Sequence, residues 1–247
     1  VMQVMDVLEK LKDDNEYYRG VGKKYLSNSD IGALLTNPVN FGVSQPDNPN
    51  FAKGRLFHQL LLEPHKAKDV VSVESNTRTT KVYKEFIEAN KIPFCLLNKE
   101  VEEVKELTSI MKKNIDFYDL IYADSTEFEV PMIKKIKGLE WKGKADVVGK
   151  DYLLDLKTTS DIQKFKWSCK SYNYDSQAYI YQELFGKPLI FLVIDKKTGV
   201  LGKFTPTEDF ILRGEEKVER AIEVYNTFFG KNKTLSIDNY YICHELI

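Results

Sequence analysis

Residues 142–160, KGKADVVGKDYLLDLKTTS, carry charge where an apolar strand would be buried. Asp155 and Lys157 flank Leu156 within LLDLKTT, and Asp146 lies upstream in KADVV. Strand neighbours two apart share a face, so Asp155 and Lys157 project together while Leu156 turns into the core. A turn around Gly149, Lys150 and Asp151 centres a hairpin in which Asp146 and Asp155 emerge as near-opposite partners. Like charges directly opposite destabilise a sheet, and burial beside apolar residues adds to the penalty unless something compensates them. A divalent cation between the carboxylates reverses the sign, and hard oxygen ligands suit Mg²⁺ or Mn²⁺. Lys157 beside it would orient or deprotonate a water, or neutralise developing phosphate charge. Taken alone, the D-x-K triplet is better explained as a surface ion pair, and it is the other motifs in order that change the reading.

The flanking pattern bounds the fold. Helical spacing is expected over 4–18, over the capped run YLSNSDIGALLTNPVNFG, over 51–62, over 80–90 and over 98–121, with Val101, Val104, Leu107 and Ile110 or Met111 on one face. Ser27 or Ser29 would cap the second of these, and Asn37-Pro38 would stop it. From Thr126 to Ser160 the period changes to short apolar runs between glycine turns, which predicts a β-meander. YDSQAYIYQELFG returns to helical spacing and ends at Gly186; PLIFLVIDKKTGVLGKFTPT predicts a hairpin, and a closing helix covers about 208–229. Helices, antiparallel strands, helix, strands and helix in that order place the chain in the α/β or α+β class, with a central mixed sheet flanked by helices. The chain reads as one domain over 1–247, with an N-terminal helical elaboration.

Apolar residues at 43% can supply a sizeable core, and no run of eighteen apolar residues predicts a membrane span. The N-terminus lacks the charge and apolar pattern of a signal peptide, so a cytoplasmic protein is expected. Cys95, Cys169 and Cys243 are too few and too scattered for a disulfide framework or a CxxC metal site. A net charge of −1 excludes a uniformly basic nucleic-acid binder, but not a local basic channel built from lysines between Lys134 and Lys170.

Taken together, these residues resemble the PD-(D/E)xK nuclease superfamily, in its branch of RecE, RecB-type nuclease domains and phage exonucleases. YLSNSDIGALLTNPVNF is similar to that branch's opening helix, and GRLFHQLLLEP to its G-x-x-x-H helix through Gly54 and His58. GKADVV and LLDLKTT match the next two motifs, and QAYIYQ the trailing Q-x-x-x-Y helix through Gln177 and Tyr181. The resemblance covers about 25–182 and implies a restriction-endonuclease-like core. It implies that His58, Asp146, Asp155 and the backbone carbonyl of Leu156 ligate the metal and that Lys157 positions or activates the attacking water. Gln177 and Tyr181 would contact the DNA backbone or support the lysine, Ser29 would join them at the substrate, and Glu129 would serve a second metal. Relatives carrying a four-cysteine iron–sulfur cluster are excluded, since three cysteines cannot supply it.

The implied activity is a Mg²⁺-dependent exodeoxyribonuclease acting 5′→3′ on duplex DNA ends in a phage or prophage recombination system. A homo-oligomeric ring and a single-strand annealing partner would accompany it. An endonuclease of the same fold and a non-catalytic DNA-end-binding module are the alternatives. Several residues also have plainer readings: His58 as a core histidine, Gly54 as a packing glycine, and Gln177 and Tyr181 as interface residues. Tyr172, Tyr174, Tyr179 and Tyr181 could stack bases, although helical spacing directs part of that series into the core.

Overall fold

Helix boundaries follow local chemistry more closely than apolar periodicity. The computed structural model describes residues 2–243, with side chains from Val4 onward. The expected helix at 4–18 is divided into α1 (Met2–Lys10) and α2 (Asp14–Tyr18), because the Asp13 carboxylate accepts from the Glu16 N–H and starts a new helix. In α3 (Asn28–Thr36) the Asp30 carboxylate accepts from the Ser27 backbone N–H at 2.7 Å and from its hydroxyl at 2.9 Å. Asn48 caps α4 (Pro49–Leu62). Two two-residue strands, β1 (Ser72–Val73) and β2 (Leu96–Leu97), pair in parallel around α5 (Lys81–Asn90); they are too short to show alternation in sequence. The run expected at 98–121 splits at Asn114 into α6 (Asn98–Lys113) and α7 (Ile115–Ile121), where the Asn114 side chain caps the second helix.

The meander is present as β3 (Glu127–Ile136), β4 (Leu139–Val148) and β5 (Leu153–Thr159). A short helix, α8 (Phe165–Ser171), which the periodicity did not predict, precedes α9 (Tyr174–Phe185). Then come β6 (Leu189–Asp195), β7 (Leu201–Phe204) and α10 (Glu208–Phe228). The main sheet has the order β3-β4-β5-β6-β7 and is mixed: β5 and β6 are parallel, joined by the α8–α9 crossover, and the other pairs are antiparallel. One face packs Val147, Leu154, Leu156 and Leu192 against α4, α6 and α7; the other packs Ala145, Leu153, Phe191 and Val193 against α8 and α9. A further apolar cluster joins α3, α9 and α10 around the fully buried Trp141.

The sheet is forked. β4 stays paired with β3 along its length, and β5 with β6, yet β4 and β5 share only the pairs Val147–Leu154 and Val148–Leu153. Continuing that register brings Asp146 opposite Asp155 at the point where the strands part. The fork positions Asp146 against the strand that carries Asp155 and Lys157.

Candidate active and metal site

Asp146 stands at the crotch of the fork. Its Oδ2 accepts from the Leu156 backbone N–H at 2.6 Å, so a carboxylate bridges β4 and β5 where ladder pairing has stopped. Its Oδ1 lies 3.3 Å from His58 Nδ1, carried on α4. Across β4, the register with β3 sets Glu129 beside Asp146, and Glu129 Oε1 lies 3.9 Å from the same imidazole nitrogen. Glu129 has a φ of 51°, a left-handed conformation that is strained for a non-glycine residue within a strand. The neighbouring side chains record the distortion: Ala145 packs on the α9 side and Val147 on the α4 side, so β4 rolls at Asp146.

One ligand atom from each of His58, Glu129 and Asp146 lies within 4.8 Å of the others. Two carboxylates and an imidazole are a donor set for a divalent cation, with the oxygens favouring a hard one. Burial by itself would lower the His58 pKa, but the Asp146 and Glu129 carboxylates outweigh it and hold the imidazole protonated up to about 10. The site therefore concentrates negative charge that either a proton on His58 or a cation can balance.

Asp155 and Lys157 project to the other face, as strand alternation requires. Asp155 Oδ1 accepts from Gln177 Nε2 on α9 at 2.5 Å, and Oδ2 lies 2.7 Å from Lys157 Nζ. That second contact is ionic and off hydrogen-bond alignment, since Oδ2 has no hydrogen-bond partner. Lys157 also sits 4.7 Å from the Tyr174 ring centroid. Burial lowers its pKa, the Asp155 charge more than reverses this, and the ammonium is held up to about 12.

Of the expected ligands, His58 and Asp146 come together and Glu129 completes the three-residue cluster. Asp155 instead spends its carboxylate on Gln177 and Lys157, and Leu156 contributes its backbone N–H to Asp146. Gln177 is buried against Asp155, where it supports the Asp155–Lys157 pair. Tyr181 packs over Gly143, where an added Cβ would lie 2.7 Å from Leu184 and 3.2 Å from the Tyr181 ring, and its hydroxyl donates to the Lys144 carbonyl at 3.0 Å. Ser29 is exposed at the start of α3, its hydroxyl 2.8 Å from that of Ser27. Gly54 is no packing glycine, because a Cβ there meets nothing within 4 Å. Tyr179 is buried and Tyr172 exposed.

Comparison with known proteins agrees with this fold. A family described as a PDDEXK-like domain of unknown function (DUF3799) matches residues 34–232. A crystal structure of a candidate exonuclease from Eubacterium rectale superposes with a TM-score of 0.61 at 16% identity, covering 95% of this chain and 96% of that one. A phage-related exonuclease from Haemophilus somnus 129PT gives a TM-score of 0.34 at 13% identity over 62% of this chain and 88% of that one, too loose a match to carry an argument. No curated protein matches the chain in sequence. No helix among the described residues is long and apolar enough to cross a membrane.

Proposed function

Since the chain belongs to the PDDEXK-like family, we propose that it is a metal-dependent deoxyribonuclease, most like the RecE-type exonucleases that degrade duplex ends 5′→3′ in phage or prophage recombination. The observation that carries this reading is the Leu156 N–H to Asp146 bond, which couples the His58–Glu129–Asp146 cluster to the Asp155–Lys157 pair across one sheet fork. His58, Glu129 and Asp146 would hold Mg²⁺ or Mn²⁺, with Asp155 and the Leu156 carbonyl as further candidate ligands. A bound cation would supply positive charge to a phosphodiester and lower the pKa of a water.

The chain's own groups divide the remaining tasks. Lys157, its ammonium favoured by the Asp155 charge, serves as a donor that orients the nucleophile or a phosphate oxygen. Gln177 fixes one oxygen of Asp155 and so holds the carboxylate that anchors Lys157. We read the chain as one cytoplasmic domain acting in a ring, whose shared channel would supply the basic surface that a subunit of net charge −1 does not. An annealing protein would receive the exposed strand.

The test is digestion of a duplex labelled separately at each 5′ and 3′ terminus, with Mg²⁺ and with EDTA, beside a closed circular plasmid. Mg²⁺-dependent loss of the 5′ label with the circle intact is expected. A cut circle assigns the endonuclease instead. Asp155→Ala should abolish cleavage while leaving DNA affinity largely intact; full activity in that variant removes the mechanism.

A further inference from the structure

Residues 163–172, QKFKWSCKSY, hold three lysines and no carboxylate in a chain whose acidic and basic residues nearly balance. They form α8 and its ends, and Lys164, Lys166, Trp167, Lys170 and Tyr172 are all exposed. Trp167 is 64% and Tyr172 65% exposed, large aromatic surfaces with no covering element. Lys166 Nζ sits 4.2 Å from the Trp167 ring centroid.

Tyr172 is not a loose surface side chain. Its ring stacks on Tyr174 at 5.7 Å and 29°, and Tyr174 stacks in turn on the buried Phe191 at 5.5 Å and 29°. Tyr174 is also the ring beneath Lys157. Taken end to end, those contacts put the exposed Tyr172 ring at most about 10 Å from the Lys157 ammonium, roughly three steps of ~3.4 Å along a strand. The turn that presents it is pinned. Asn173 takes a φ of 56°, its carbonyl accepts from Asn28 Nδ2 and Ser176 Oγ, and its Oδ1 accepts from Lys217.

We propose that the exposed side of α8 and the turn after it form a base-stacking platform for a single strand of DNA beside the catalytic centre, with Tyr172 as the residue nearest the chemistry and Trp167 farther along the helix. Lys166 and Lys170 match the phosphates, Lys164 being paired with Asp161, and exposed rings on a rigid base suit unpaired bases, which a duplex does not offer. The inference rests on the nuclease reading for its catalytic centre, yet it is tested without cleavage.

Trp141 is fully buried, so of the two tryptophans Trp167 alone is open to a ligand. In EDTA, oligothymidylate should quench the fluorescence of the full chain, and Trp167→Phe should remove that signal. By anisotropy, Tyr172→Ala should weaken oligothymidylate binding on the order of 10-fold, the loss of one stacked base, with a smaller effect on blunt duplex of equal length. Tyr172→Phe should retain the affinity. No quenching of the wild type, unchanged affinity in Tyr172→Ala, or an equal loss on strand and duplex overturns the platform. Failure of the nuclease reading looks different: quenching and its loss persist while no DNA is cut in Mg²⁺.

Discussion

Two lysine–aspartate pairs with buried carboxylates lie on the same side of the sheet, and their ammonium groups are bonded differently. Lys217 Nζ on α10 lies 2.8 Å from Asp175 Oδ1, 2.8 Å from the Lys170 carbonyl and 2.9 Å from Asn173 Oδ1. An ammonium has three N–H donors, and here all three are used. Lys157 has one acidic neighbour, off hydrogen-bond alignment, and an aromatic face. Its donors remain available. The Lys217 ammonium, bonded through all three donors to fixed acceptors, ties α9 to α10, whereas on the proposed reading Lys157 keeps donors for a substrate. Each aspartate has a buried Oδ2 without a hydrogen-bond partner, so what separates the two pairs is how fully the ammonium is bonded.

Breaking each pair should therefore give opposite signatures. Lys157→Ala should lower cleavage by roughly 10²-fold or more, with a smaller loss of Tm than Lys217→Ala because Gln177 still donates to Asp155. Lys217→Ala leaves the fully buried Asp175 uncompensated and should cost ~3–5 kcal/mol in denaturant unfolding. Asp175→Asn combined with Lys217→Met should recover much of that loss, because the orphaned charge is gone. A Lys217→Ala protein of unchanged stability, or a Lys157→Ala protein that cuts DNA normally, would erase the distinction.

The Asp155–Lys157 pair was legible in the sequence and the Asp175–Lys217 pair was not. Asp155 and Lys157 are two apart on one strand, and Asp146 follows from a turn at Gly149 to Asp151, so local periodicity and hairpin arithmetic suffice. Asp175 and Lys217 are 42 residues apart on two helices, and nothing local couples them. Glu129 falls between these cases. It alternates with Glu127 as an outward residue would, and its approach to Asp146 and His58 depends on a left-handed backbone that no residue preference signals for glutamate. The short α8 escaped periodicity because seven residues give barely two turns. The meander, the end of α9 and the β6–β7 hairpin were legible because their turns carry Gly149, Gly186 and Gly199 at the expected breaks.

Charge at the fork makes a second contrast, through pH. The His58 pKa is raised from its ordinary 6.5 to about 10 by Asp146 and Glu129, against the lowering effect of burial. A raised histidine stabilises the metal-free fold fully below pH 6.5 and loses that contribution as pH climbs through about 10. In EDTA, the Tm advantage of the wild type over His58→Gln should thus be largest at pH 6 and shrink by pH 9.5. Mn²⁺ should bind more tightly over the same rise and release a proton on binding, measurable by calorimetry in buffers of different ionisation enthalpy. A Tm gap that is flat with pH would mean that the two carboxylates do not act on His58.

The smallest expected effect sharpens the same contrast between closed and open surroundings. At Gly214, an added Cβ would lie 2.1 Å from the Asp175 carbonyl oxygen, so Gly214→Ala must displace α10 from α9 and should destabilise by ~1–3 kcal/mol. Gly54 lies one turn before His58 on the same face of α4, and a Cβ there meets nothing within 4 Å. Gly54→Ala should therefore stabilise the helix by ~0.5–1 kcal/mol, since glycine in a helix interior forfeits that much to backbone entropy. If the open face receives the DNA backbone, the same variant should raise KM for DNA while Tm goes up. A rise in Tm with unchanged KM would leave Gly54 as nothing more than a weak point in α4, and would place the substrate's path on the other side of His58.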